Sequence, residues 1–227
     1  MKAMILAAGL GERMRPLTDH TPKPLLRVGG VPLLEHHIRA LAAAGFCELV
    51  INISHLAGQI TDYFGDGSDW AVKIDWSREE EPLETAGGII NALPLLGEAP
   101  FALINGDVWT DYPFSELATL VPTDEKGAHL VLVANPEQHP QGDFSLSKEG
   151  MVGSLIEGET GFTYAGLGVY STGFFAGIDA GKVPLLPLLN RAIKNKTLRG
   201  RFYGGQWVDV GTPARLETLD AQLRSSL

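Results

Sequence analysis

The sequence predicts an α/β fold, a doubly wound and mostly parallel (mixed) sheet flanked by helices, on three observations. Short apolar runs alternate with longer stretches of helical period through the first half of the chain, and beyond residue 128 Gly and Pro turns separate further short runs without intervening helices. The 227 residues are 44% apolar and 20% charged, the balance of a globular chain with a sizeable core. No repeat, low-complexity tract or long linker interrupts the pattern, so the expectation is a single domain over residues 1–227.

The elements follow in order. A strand is expected at 2–8, since residues 3–8 are an apolar run too brief for anything except a buried strand, and the stretch after it is rich in Gly and Pro and must be a loop. Residues 33–44 repeat apolar side chains at helical spacing and stop at Gly45, a good terminator. Strands are expected at 48–53, 72–76 and 101–105, with helices at 55–64 and 86–96 between them, giving a β-α-β-α-β-α-β series. The second half offers strands at 130–133, 150–156 and 164–170, a helix at 185–194, a short strand at 207–210 and a final helix at 213–223.

Charge and cysteine content narrow the function. A net charge of −9 argues against a nucleic-acid surface, which selects clustered Lys and Arg. Cys47 is the only cysteine, which rules out an intrachain disulfide framework or thiolate metal site, fits a reducing compartment and reads as a small core side chain. The apolar run at the amino terminus is shorter than the roughly seven to fifteen residues of a secretory signal, and none reaches the roughly twenty of a membrane span. The expectation is a cytoplasmic protein without nucleic-acid or membrane partners.

The loop after the first strand sits where open α/β sheets bind ligands. Gly9 and Gly11 let the backbone approach a ligand and aim N–H groups at an anion, while Arg13, Arg15, Lys23 and Arg27 add positive charge. Polyphosphate is the natural guest. The dinucleotide fingerprint fails because Met14 stands where Gly or Ala is needed, and the Gly-Lys-Ser/Thr of a P-loop does not occur. Asp107 after one strand and Asp209 before the last helix could hold magnesium, which takes one or two carboxylates plus phosphate oxygens. His36 and His37 lie on the first long helix, away from any acidic metal motif, and read as helix-surface or packing residues.

Four ordered motifs carry a more specific signal: LAAGLGERMRPLTDHTPKPLLRVGGVPLLEHHIRALAAAG at 6–45, EEEPLETAGGI at 79–89, INGDVWTD at 104–111 and WVDVGTP at 207–213. Together they resemble the sugar-1-phosphate nucleotidylyltransferases, a nucleotidyltransferase (GT-A-like, Rossmann-like) version of the doubly wound fold. The resemblance implies joining of a nucleoside triphosphate to a sugar 1-phosphate with release of pyrophosphate, dependent on Mg2+. It implies catalytic roles for Arg13 and Lys23, metal binding by Asp107 and Asp209, and nucleotide contacts from Ala7, Ala8, Gly9, Gly11, Glu12, Arg13, Lys23, Gly106 and an acceptor nearest Glu79, with Glu80 and Glu81 beside it. It implies sugar contacts from Thr85, Ala86, Gly87, Gly88, Asn105 and Glu157.

Departures narrow the resemblance further. Gly158 and Tyr164 stand where many relatives carry Lys and Asn, and Glu84 stands where many carry Gly. The compact length, Glu84 in LETAGG and the WTDYPF continuation from Trp109 resemble the members that transfer a uridylyl group from UTP to N-acetylmuramate 1-phosphate in peptidoglycan (cell-wall) recycling. A mannose- or heptose-1-phosphate guanylyltransferase, a choline-phosphate cytidylyltransferase and a non-catalytic sugar-nucleotide-binding regulatory module stay open as alternatives. Arg201 is a candidate cation for a lactyl carboxylate, and a monomer is favoured over an oligomer.

Overall fold

The computed structural model describes residues 1–225, so the last two residues of the expected 1–227 domain lie outside the described residues. Strand β1 (Ala3–Leu6) leads into a long loop, a small hairpin of β2 (Arg27–Val28) and β3 (Val31–Pro32), and helix α1 (Leu33–Ala43). The series then runs β4 (Glu48–Ile53), α2 (Ala57–Phe64), β5 (Lys73–Arg78), α3 (Glu84–Leu96) and β6 (Phe101–Asn105). After it come β7 (Val108–Thr110), β8 (Ala128–Val133), β9 (Phe144–Leu146), β10 (Val152–Ser154) and β11 (Thr163–Tyr170). The chain closes with α4 (Leu186–Lys194), β12 (Leu198–Tyr203), β13 (Trp207–Asp209) and α5 (Pro213–Ser225).

Seven strands form the main sheet in the order β12-β8-β11-β6-β1-β4-β5. The β6-β1-β4-β5 half is parallel, β11 runs antiparallel to both β6 and β8, and β12 pairs parallel with β8, so the expected mixed sheet is observed. Alternate side chains divide between two cores, as the two-residue period of a strand requires. Ala3, Ile5, Leu49, Ile51, Ala102 and Ile104 pack with α1 and α2 on one face. Met4, Val50, Phe101 and Leu103 pack with α3 and α4 on the other. The chain therefore leaves β1 toward β4 across one face and returns from β5 to β6 across the other. That reversal beside β1 opens a crevice beyond the carboxyl ends of β1 and β6.

Several elements differ from expectation for physical reasons. The first strand ends at Leu6, because the Ala7 N–H turns out of the sheet to a side chain described below. Strand β12 was not legible, since Arg199, Gly200 and Arg201 break its apolar pattern, yet its residues alternate between buried and exposed at the sheet edge. Cys47 is exposed rather than a core side chain: Phe46 fills the adjacent core position after α1 and leaves the thiol facing solvent.

His37 is buried by α1 against Phe114, and burial pushes its pKa down to about 4. His129 on β8 is lowered to about 4 by burial and by Arg201 and Arg199. Neither ring has a partner for Nε2 among the described residues. Both rings stay neutral in the fold until about pH 4, whereas in the unfolded chain they take up protons near their ordinary value of 6.5. Stability is therefore full above about pH 6.5 and is lost as the pH falls from there toward 4. A urea midpoint measured at pH 7 and pH 5 should drop, and His129→Gln should shrink the drop.

Candidate functional site

The loop after β1 is held in shape from within and from beneath. Gly11 has φ 66°, the left-handed region glycine favours, and Thr18 donates its hydroxyl to the Gly11 carbonyl at 2.8 Å. A Cβ on Gly11 would stand 2.8 Å from Thr18 Cγ2. From the β4 and α2 side, Gln59 donates to the His20 carbonyl at 3.0 Å and His55 Nε2 lies 3.2 Å from the Thr18 carbonyl. Met14 is buried below the turn that carries Arg13. Such pinning sets the backbone around Gly9 to Arg13 before any ligand arrives.

A second set of contacts ties that loop to the opposite wall. Asn52, the one polar residue at the buried end of β4, accepts the Ala7 N–H at 2.7 Å through Oδ1 and donates through Nδ2 to Glu79 Oε1 at 2.7 Å. Glu79 Oε2 accepts the Leu83 N–H at 3.0 Å, so this carboxylate braces the chain entering α3. A Cβ on Gly88 would lie 2.7 Å from Glu79 Oε1 and 2.8 Å from Asn52 Nδ2. Gly88 therefore makes room for the pair.

The two expected metal carboxylates meet through a ribbon. β7 follows Asp107 directly, β13 ends at Asp209 opposite Val108, and the Val210 N–H donates to the Asp107 carbonyl at 2.9 Å. Lys23 Nζ donates to Asp107 Oδ2 at 2.9 Å with its side chain 11% exposed. Arg215 donates to Asp209 Oδ2 at 2.6 Å. Above Gly211 three polar groups converge: a Cβ there would stand 2.8 Å from Asp209 Oδ1, 2.8 Å from an Arg215 nitrogen and 3.0 Å from an Arg13 nitrogen.

Between these parts lies a cleft of about 570 Å³. Of the residues expected from sequence, Ala7, Ala8, Gly9, Gly11, Glu12, Arg13, Lys23, Glu79, Thr85, Asn105, Gly106 and Asp107 line it. Asp209 reaches its edge through Gly211. Asn105 Oδ1 is buried and without a partner among the described residues. Ala86, Gly87 and Gly88 are buried behind the wall, where the N–H groups of Ala86 and Gly87 donate to the Val183 carbonyl at 3.0 and 3.1 Å rather than facing the cleft. Glu157 is exposed in the loop before β11 and outside the lining, as are Glu80 and Glu81. Arg201 lies 3.4 Å from both Glu116 and Thr119, away from the cleft, and the Tyr164 hydroxyl bonds the Tyr170 hydroxyl in the buried layer below. Sequence reasoning missed Thr18, Asn52 and Arg215. Only Asn52 carried a signal, a polar residue inside an otherwise apolar strand, which must find partners when buried.

The cleft and its ribbon-joined carboxylates define an α/β protein with charged side chains gathered beyond the carboxyl ends of its central strands. The family model described as nucleotidyl transferase matches residues 2–226, and the chain belongs to that family. It is 50% identical to the N-acetylmuramate alpha-1-phosphate uridylyltransferase of Neisseria meningitidis, covering 97% of each chain. It is 34% identical to a mannose-1-phosphate guanyltransferase of Aspergillus oryzae, covering 94% of this chain and 61% of that protein. In fold it is similar to a putative glucose-1-phosphate thymidylyltransferase of Bacillus anthracis, with a TM-score of 0.86 at 20% identity over 99% of this chain and 95% of that one.

Gly88→Ala tests the brace between the two walls. The added methyl should force the Asn52–Glu79 pair apart and cost about 1–3 kcal/mol in a urea unfolding titration.

Proposed function

We propose that this chain transfers a uridylyl group from UTP to N-acetyl-α-D-muramate 1-phosphate, releasing pyrophosphate, in the cytoplasm as a step of peptidoglycan recycling. The observation that carries the reading is the 50% identity to a uridylyltransferase of that name along 97% of both chains, against 34% to a guanyltransferase of which this chain spans 61%. The cleft supports the same chemistry independently of the name.

Transfer requires an oxygen of one phosphate to attack the α-phosphorus of another in line with departing pyrophosphate, so the work is positioning and charge stabilisation. In this reading the Gly9 to Arg13 backbone cradles the triphosphate. Arg13, whose planar fork can span two phosphate oxygens, orients it, and Lys23 follows charge on the leaving group. Gly106 and the Ala7 to Gly9 backbone border the nucleotide, while Thr85 and Asn105 border the sugar.

The lining poses an electrostatic problem that points to a metal. Its cations are Arg13 and Lys23, but its carboxylates are Glu12, Glu79, Glu84 and Asp107, so two polyanions would meet a net negative wall. Magnesium fits the donor set: Asp107 and Asp209 each keep one oxygen without a hydrogen bond among the described residues, and hard oxygen donors suit that ion. When bound it would offset phosphate charge and supply Lewis acidity at a phosphate oxygen. Lys23 and Arg215, now paired with those carboxylates, would then be released toward phosphate.

The test is pyrophosphate release with magnesium, crossing UTP, GTP, CTP and dTTP against the 1-phosphates of N-acetylmuramate, N-acetylglucosamine, glucose and mannose. Release confined to UTP with N-acetylmuramate 1-phosphate is the expected result, and release confined to GTP with mannose 1-phosphate would overturn the substrate. Asp107→Asn and Asp209→Asn should each abolish turnover while shifting thermal unfolding little, since partly exposed ion pairs contribute about 1 kcal/mol or less. Lys23→Ala should lower the rate at least about tenfold, in line with loss of a preorganised electrostatic donor.

A further inference from the structure

Glu84 is held in a backbone conformation that its side chain disfavours. Its φ is 61°, in the left-handed region where glycine is at ease and a residue with a Cβ is strained. It opens α3 and lines the cleft, and its carboxylate makes no hydrogen bond or ion pair among the described residues. The carboxylate of Glu79, four residues before Leu83, is in contrast already engaged on both oxygens by Asn52 and the Leu83 N–H. The cleft wall thus holds one acceptor committed to the protein and one that is strained and uncommitted. Strain of this kind persists where the surrounding structure holds it; Leu56, Ala71 and Lys196 share the left-handed region, but only Glu84 among them lines the cleft.

Topology says which end of a ligand Glu84 faces. Asp107 follows β6 and Glu84 follows β5, and the loop of β1 lies between them in the sheet order β6-β1-β4-β5. The phosphate cations gather at the β6 side, around Asp107 and Gly211. A carboxylate on the β5 side would repel phosphate, but it can accept from a neutral donor. Building on the function proposed above, we infer that the Glu84 carboxylate is a specificity-determining contact for the nucleoside end of the triphosphate, accepting a hydrogen bond from a ring N–H or a ribose hydroxyl.

Glu84→Gly and Glu84→Ala separate the strain from the contact. Gly relieves the backbone and removes the acceptor; Ala removes only the acceptor. Thermal unfolding of the Gly variant should rise by about 2–4 °C, while the Ala variant should stay near wild type. Calorimetric affinity for UTP with magnesium should fall about tenfold in both, the loss of one charged hydrogen bond. Titrations with 2′-deoxy-UTP and N3-methyl-UTP identify the donor: the analogue lacking it binds wild type about tenfold more weakly and loses that deficit in the Ala variant.

Unchanged UTP affinity in both variants would overturn the inference, as would a loss confined to Gly, which would assign the effect to the backbone. A lower unfolding temperature for Gly would overturn it too, by showing a structural role. Wild-type binding separates this inference from the function it rests on. If wild type takes GTP in place of UTP, the uridylyl reading fails, and the same two variants titrated with GTP still decide Glu84.

Discussion

The site depends on one buried amide. Asn52 stands at the end of β4, in register with Leu6 of β1 on one side and Ser77 of β5 on the other, so its side chain can reach both neighbouring exits from the sheet. It accepts from Ala7 where the long loop begins and donates to Glu79 where the chain turns toward α3. Three parallel strands thus deliver their loops to one place through a network in which each polar group has a partner. The arrangement is sensitive in proportion: an orphaned buried donor or acceptor costs about 1–3 kcal/mol, and the low dielectric that strengthens a complete network penalises a broken one. Gly88 belongs to the same constraint, since the helix behind the wall can approach only where a side chain is missing.

At the other end of the cleft, charge replaces packing as the organising force. Asp107 and Asp209 are each paired with a cation from a different element, Lys23 from the loop and Arg215 from the first turn of α5. A cation at a helix amino terminus opposes the helix dipole, so Arg215 is placed there against its electrostatic preference and held by Asp209. These pairs match two carboxylates with two cations and leave neither acid unopposed. Each acid is thus held by a cation from an element other than its own.

Much of this was legible in the sequence, and the boundary is physical. The alternating β-α series was readable because each buried strand is a short apolar run and each covering helix shows its period, as at Glu48–Ile53 and Leu33–Ala43. The gathering of the loop after β1 and of Asp107 at one cleft was legible in part because glycine, basic and acidic residues cluster at strand ends. Strand β12 was not, because at a sheet edge only one face need be apolar and its arginines point outward. Nor could the sequence tell Gly87 and Gly88, which serve backbone approach to Val183 and to the Asn52–Glu79 pair, from glycines that would border a sugar. Glycine marks close approach in both cases; the partner is set by the fold.

The ribbon of β7 and β13 has a further implication for how the molecule comes into being. Asp107 and Asp209 lie on either side of β8 to β12 in the sequence, and the pairing of β13 with β7 closes that long span of chain. Helix α5 then fastens the closure, with Asp220 accepting the Gly29 N–H at 2.8 Å beside the first hairpin. The parallel half of the sheet and the loop after β1 need only the strands before β7, whereas the second carboxylate is placed only when β13 pairs with β7. Until that pairing forms, the cleft lacks its second acid, so the two carboxylates come together only when distant parts of the chain have joined.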